Sequence, residues 1–148
     1  MILEIQKNEN NPILRKKSQP ISKIDEEILN LAKDMTETML KVDGVGLAAC
    51  QVGKNIQLFV INPNLSKKSI FINPKIIKMS KKTEILEEGC LSLPGVFIEK
   101  PRAKSLKIKA VDETGKQFKL KAKDLSARAI QHEIDHLNGI LIIDKNNE

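Results

Sequence analysis

The chain contains only two histidines, and they lie four residues apart in His132-Glu133-Ile134-Asp135-His136. On a helix, residues i and i+4 share a face, so the two imidazoles would aim neutral nitrogens at one point, an arrangement suited to a divalent metal ion. Glu133 is offset from His132 by about 100° around such a helix. That offset would set its carboxylate beside an open coordination position, where it can handle protons and need not bind the metal. The same spacing also arises on charged surface helices that hold nothing.

A catalytic site of this kind needs a third protein ligand. In a metzincin pattern another histidine follows at a fixed offset after a glycine; here Gly139 is present, but the required position is Ile142. A thermolysin-like completion takes a glutamate well downstream, yet only 12 residues follow His136, and the candidate acids there are Asp144 and Glu148. The cysteines Cys50 and Cys90 remain. Taken singly, either reads equally as a small buried hydrophobe. Cys90 lies in Glu88-Gly89-Cys90-Leu91-Ser92, where the glycine beside it lets backbone approach a ligand closely, and Cys50 is its competitor.

Secondary structure must bring these segments together. Ile28, Leu31, Met35, Met39 and Val42 recur at helical spacing, which predicts one amphipathic helix over 25–42 with Ser22 as a possible cap. Asp43-Gly44 marks its end, and Gly44 and Gly46 predict a sharp bend before Leu47-Ala48-Ala49. Strand patterns cover 56–61 and 70–77. Leu106, Ile108 and Ala110, then Phe118, Leu120 and Ala122, alternate on either side of the turn Asp112-Glu113-Thr114-Gly115 and predict an antiparallel hairpin. A closing helix starts near Asp124 or Ser126, carries the histidines, and ends at Asn138-Gly139. The expected fold is α+β, with mostly antiparallel β-sheets packed around the C-terminal helix that bears the HExxH motif, in one domain over 1–148.

Composition narrows the function classes. Hydrophobic residues at 41% and charged residues at 30% belong to a globular chain, not to a disordered or membrane one. The formal charge of +6 is almost all lysine, since Arg15, Arg102 and Arg128 are the only arginines. Lysines scattered among acids, with no Trp or Tyr for base stacking, read as a solvated surface and predict no specific nucleic-acid partner. Two cysteines cannot form a disulfide framework, the start Met-Ile-Leu-Glu-Ile lacks an export pattern, and apolar stretches such as 140–143 are too short to span a bilayer. A cytoplasmic monomer with free thiols and no membrane partner is expected.

Three segments together resemble the signatures of the peptide deformylase family. These are Gly44-Val45-Gly46-Leu47-Ala48-Ala49-Cys50-Gln51, then Glu88-Gly89-Cys90-Leu91-Ser92, and His132 to His136, in the family's order and spacing, with Cys50 at a position the family leaves variable. The resemblance extends over nearly the whole chain, including Ser92-Leu93-Pro94, Pro101-Arg102 and Gln131. It implies that Cys90, His132 and His136 hold one divalent metal ion, Fe(II) in the cell, with Zn, Ni or Co as possible substitutes. It implies that Glu133 moves the proton, and that the Gln51 amide and the Leu91 backbone N–H stabilise the oxyanion. Gly46 would bind an extended peptide. Val45, Leu86, Leu125 and Ala129 would line or adjoin the pocket for a methionine side chain, or be plain core. Glu88 would support the ligands by pairing with Arg102. The resemblance assigns no role to Asp135, and Arg128 is left outside the site.

The implied reaction is hydrolysis of the N-formyl group from the initiating methionine of nascent polypeptides, releasing formate. The competing readings are an HExxH metallopeptidase, which lacks its third ligand, and a non-catalytic metal-stabilised binding module, which would ordinarily show four protein ligands. Family members often continue past this point into a basic C-terminal helix used at the ribosome. The chain ends at Glu148, so any ribosome contact is expected to be transient and weakened. Short forms of this kind resemble those of phage genomes, in which case the compartment would be the host-cell cytosol.

Overall fold

The computed structural model describes residues 1–144. The first helical turn, α1 (Pro12–Arg15), is capped by the Asn11 side chain, which accepts from the Ile13 N–H at 3.2 Å. Helix α2 (Glu26–Lys41) follows the predicted apolar stripe and buries Ala32, Met35 and Met39. Its cap is Asp25, not Ser22: the carboxylate stands three residues before Ile28 and accepts that residue's N–H at 3.1 Å. The bend that follows is made at Asp43, with φ 53°, while Gly44 and Gly46 keep ordinary backbone angles. Aspartate tolerates the left-handed region well enough to turn the chain there.

Among the described residues, seven strands and one further helix follow: β1 (Gly46–Ala48), a 3₁₀ turn (Ala49–Val52), β2 (Leu58–Ile61), β3 (Ile70–Met79), β4 (Thr83–Cys90), β5 (Leu93–Ala103), β6 (Ser105–Val111), β7 (Gln117–Lys123) and α3 (Asp124–Leu137). Five of the strands form one antiparallel sheet in the order β1-β2-β3-β6-β7, and β4 and β5 form a separate hairpin. The predicted hairpin is β6–β7, with Leu106, Ile108 and Ala110 opposite Ala122, Leu120 and Phe118. Strand β2 begins at Leu58; Ile56, which the sequence pattern included, makes an isolated parallel bridge with Gln19.

Alternation along the strands gives the large sheet two apolar faces at its β1-β2-β3 end. Ala48, Phe59, Phe71 and Ile108 pack with Ala127 and Ile130 of α3, and the Phe59 and Phe71 rings stack with centroids 4.7 Å apart. Leu47, Leu58, Val60 and Ile72 pack with Met35 and Met39 of α2. Helix α3 is therefore held against one face of the sheet and α2 against the other. Past α3, Gly139 takes φ +75° and lies so close to the Arg15 carbonyl that a Cβ there would collide with it. The chain then returns Leu141 and Ile142 to the core. These features match the expected α+β class. Among the described residues, no helix is long and apolar enough to cross a membrane.

Candidate metal centre

The α3 periodicity that buries Ala129 and Ile130 also buries His132, Glu133 and His136 against the sheet and the β4–β5 hairpin. Cys90 ends β4, where the pairing register shifts between Gly89 and Cys90. That irregularity re-aims the side chain toward α3. His136 Nε2 lies 3.2 Å from His132 Nε2 and 3.4 Å from Cys90 Sγ. All three donor atoms lie within 4.8 Å of one another. Tetrahedral coordination with ordinary bond lengths would separate nitrogen from nitrogen by ~3.3 Å and sulfur from nitrogen by ~3.6 Å. Two imidazoles and one thiolate at these spacings fit a single divalent ion, and no other cluster of three or more such donors occurs among the described residues.

Glu88 organises the ligands from behind. His132 Nδ1 lies 2.9 Å from Glu88 Oε2, so its N–H donates to the carboxylate and Nε2 faces the other two donors, where a metal ion would take the place of its proton. Arg102 donates to both oxygens of the same carboxylate, from Nε at 3.0 Å and Nη2 at 2.7 Å, and from Nη1 to Asp135 Oδ2 at 2.6 Å. Burial alone would push the Glu88 pKa up, but the bonds from His132 and Arg102 outweigh it and hold the carboxyl well below its ordinary range. Burial likewise opposes a charge on His132, yet Cys90, Glu133 and Glu88 carry its pKa up to about 10. A cluster of anions that draws a proton so strongly also favours a cation. The expected pairing of Glu88 with Arg102 is present, and Asp135 acquires a role as the second anchor of that guanidinium.

Arg128, left outside the site on sequence grounds, belongs to it. Its Nη1 donates to Glu88 Oε1 at 3.0 Å and to the Lys100 carbonyl at 2.9 Å, and its Nη2 donates to the Glu84 carbonyl at 2.6 Å. The available signal was its position four residues before His132, on the same face of the helix. Gln131 anchors α3 through reciprocal bonds with the Ala103 backbone, accepting at 2.9 Å and donating at 2.8 Å.

Glu133 is 1% exposed, and its Oε1 has no hydrogen-bond partner among the described residues. Burial raises its pKa to about 7, into the range where a carboxylate both accepts and returns a proton near neutral pH. Gly46 makes room for it: a Cβ at that position would stand 2.7 Å from Glu133 Oε2. The glycine is required here by a neighbouring side chain and not by its backbone angles. Gln51, which alone reads as an exposed polar residue, is 1% exposed. Its Oε1 accepts from the Ala48 N–H at 3.0 Å, while Nε2 donates to Ser92 Oγ at 3.1 Å and faces Cys90 Sγ at 3.9 Å.

These groups open onto a cavity of about 490 Å³, within the usual range for a small-molecule or peptide side-chain site. Val45, Gly46, Leu91, Leu125 and Ala129 line it, together with Cys90, His132, Glu133 and Gln51. Leu86 does not line it and is 45% exposed, although it lies on β4 two residues before Glu88. Phe97, which sequence reasoning missed, lines the mouth from β5, 65% exposed, with its ring over Gly89.

Cys50 is placed differently. It is fully buried, its Sγ–H donates to the His136 carbonyl at 3.5 Å, and burial together with the Glu133 charge pushes its thiol pKa up to about 12. A neutral thiol bonded to the helix backbone is a packing group. Cys50→Ser is therefore expected to keep one metal per chain by elemental analysis while Cys90→Ser loses it; the reverse pattern would overturn the choice of third ligand.

Comparison with known proteins agrees with this geometry. The family model described as polypeptide deformylase matches residues 2–148. The peptide deformylase of Pseudothermotoga lettingae is 46% identical over 134 residues, covering 90% of this chain and 77% of that protein. The chloroplastic peptide deformylase 1B of Oryza sativa is 44% identical over 139 residues, covering 91% of this chain, which spans about half (52%) of that longer protein. The crystal structure of peptide deformylase from Thermotoga maritima superposes with a TM-score of 0.92 at 40% identity, covering 100% of this chain and 99% of that one. With the family model matched almost end to end, and with a three-donor cluster able to hold a metal ion beside the buried Glu133 and Glu88, the chain belongs to the polypeptide deformylase family of metal-dependent hydrolases.

Proposed function

We propose that this chain removes the N-formyl group from the methionine of nascent polypeptides as a single catalytic domain, with Cys90, His132 and His136 as the metal ligands and Glu133 as the proton-transfer group. The observation that carries the assignment is the convergence of three donor side chains, Cys90, His132 and His136, beside a buried Glu133 whose Oε1 has no partner among the described residues, with Cys90, His132 and Glu133 facing one cavity. The metal, when bound, supplies Lewis acidity that makes hydroxide available from water near neutral pH. Glu133 takes the proton released from the attacking water and delivers it to the amine that leaves as the formyl C–N bond breaks. The second N–H of the Gln51 amide, on the Cys90 side, and the Leu91 backbone N–H are the donors for the developing oxyanion.

Among the described residues, strand β1 is an edge of the large sheet and pairs on one side only, with β2. An extended peptide can add along its other side, beside Gly46, and this would deliver the N-terminal residue to the cavity. Val45, Leu125 and Ala129 supply apolar walls for a methionine side chain. The HExxH peptidase reading is disfavoured by the thiolate in place of its usual third ligand.

Two measurements test this reading. A formyl-Met tripeptide should release formate in proportion to bound metal, and the acetyl-Met analogue should release almost no acetate; an inactive, fully metallated protein would refute the proposal. We further assign Fe(II) as the native ion in a cytosolic monomer whose contact with the ribosome is transient and weak. The Fe(II) form should then lose activity in air faster than a Ni(II) form, because a thiolate-ligated ferrous centre is open to oxidation. Equal lifetimes would remove the argument.

A further inference from the structure

Lysines that look scattered in the sequence are gathered by the strand register. Lys75 of β3 is paired with Lys109 of β6, which is paired with Lys119 of β7; in the next row Lys78, Lys107 and Lys121 are matched in the same way. Lys123 continues the pattern opposite Ser105. Residues directly opposite share a face, and Val111, two positions from Lys109, lies in the apolar cluster under α2. The α2 side of the sheet thus changes from apolar and covered at β1-β2-β3 to cationic and uncovered at β3-β6-β7. Helix α3 and the metal centre are on the opposite side, against Phe71, Ile108 and Ala122.

Like charges placed directly opposite one another in a sheet are destabilising. None of these lysines forms an ion pair among the described residues, whereas Lys68 and Lys104 do. Two adjacent rows lie ~6.8 Å apart along the strands, with lysines ~4.8 Å apart across them, and the rows themselves hold no acid. A polyanion would remove the repulsion.

We infer that this sheet face is a docking surface for the phosphate backbone of structured RNA, a choice that rests on the proposed nascent-chain substrate, which is made on an RNA-rich particle. The chemistry of the face favours that occupant. Lysine is a point charge that meets phosphate without reading geometry or sequence. The face offers no aromatic platform for unstacked bases, which favours duplex backbone over single strands. The outward residues of β6 and β7 in these rows, Ser105, Lys107, Lys109, Lys119, Lys121 and Lys123, include no apolar side chain to insert into a lipid surface. Docking here would leave the catalytic cavity, on the other side of the sheet, open to the peptide.

The test uses the metal-loaded full chain and a fluorescein-labelled RNA hairpin of about 20 base pairs, enough to span a module-sized footprint. The triple variant Lys109→Gln, Lys119→Gln, Lys121→Gln should bind the hairpin at least about tenfold more weakly, with the slope of log K against log salt reduced by about 2 to 3. The control Lys16→Gln, Lys17→Gln, Lys23→Gln removes the same charge and should change binding less than about threefold. Both should release formate from a free formyl-Met peptide at the parental rate, which separates failure of this proposal from failure of the deformylase reading. Relief of like-charge repulsion should leave the Tm of the face variant equal or higher. If that variant does not fold, acetylation footprinting of the parent decides: the hairpin should shield Lys109, Lys119 and Lys121 and leave Lys16, Lys17 and Lys23 reactive. Equal losses in both variants, equal shielding, or tighter binding to phosphatidylcholine vesicles containing about one-third phosphatidylserine than to the hairpin would overturn the proposal.

Discussion

Glu133→Gln is expected to retain metal near the parental level while kcat falls by at least ~10²- to 10⁴-fold, with KM changed much less. The separation follows from placement. His132 and His136 converge with Cys90, whereas Glu133 turns toward Gly46 of β1 and leaves Oε1 without a partner among the described residues. Glutamine keeps the shape against Gly46 but cannot accept a proton at neutral pH. Its amide also removes a buried charge, so the fold should not suffer. Metal analysis beside steady-state formate release makes the measurement. An apo protein would make Glu133 a ligand or a determinant of the fold, and a near-normal kcat would make it a bystander.

Legibility in the sequence followed the range of the interactions. His132 and His136 were readable because their relation is local, one helical turn on a strongly periodic segment, and the helix that carries them spans Asp124–Leu137 close to the predicted limits. The β6–β7 hairpin was readable because alternation and its turn coincide. The β4–β5 hairpin, which delivers Cys90 and Glu88, was not read as strands. Thr83 to Cys90 lacks alternating burial, and its one fully committed inward side chain is Glu88, an acid held by arginines 14 and 40 residues away. Ion pairs of that range replace the apolar periodicity on which strand recognition depends. Arg128 and the burial of Gln51 were missed for the same reason, since each depends on partners from other elements. The lysine rows depend on register across three strands, which no single segment encodes.

Glu88→Ala should be the most damaging change outside the ligands themselves. One carboxylate accepts from Arg102, Arg128 and His132, all buried, so its removal leaves Arg102 with Asp135 as its one carboxylate partner, leaves Arg128 with backbone carbonyls alone, and frees the His132 ring. Breaking one side of a buried ion pair typically costs about 3–5 kcal/mol. Loss of a ligand's orienting partner weakens metal binding by about 10- to 100-fold. The pH dependence carries a sign that identifies the cause. Because the folded-state pKa of Glu88 is held below its ordinary value of 4.5, its stabilisation is complete above that value and is lost as pH falls through the folded pKa. The parent Tm should therefore fall from pH 5 downward, and Glu88→Gln, which keeps the shape without the charge, should start lower and lose less over the same interval. Parallel Tm curves for the parent and Glu88→Gln, with metal affinity unchanged in a chelator competition, would show that Arg102 and Arg128 are held by other partners and that His132 is oriented without this carboxylate.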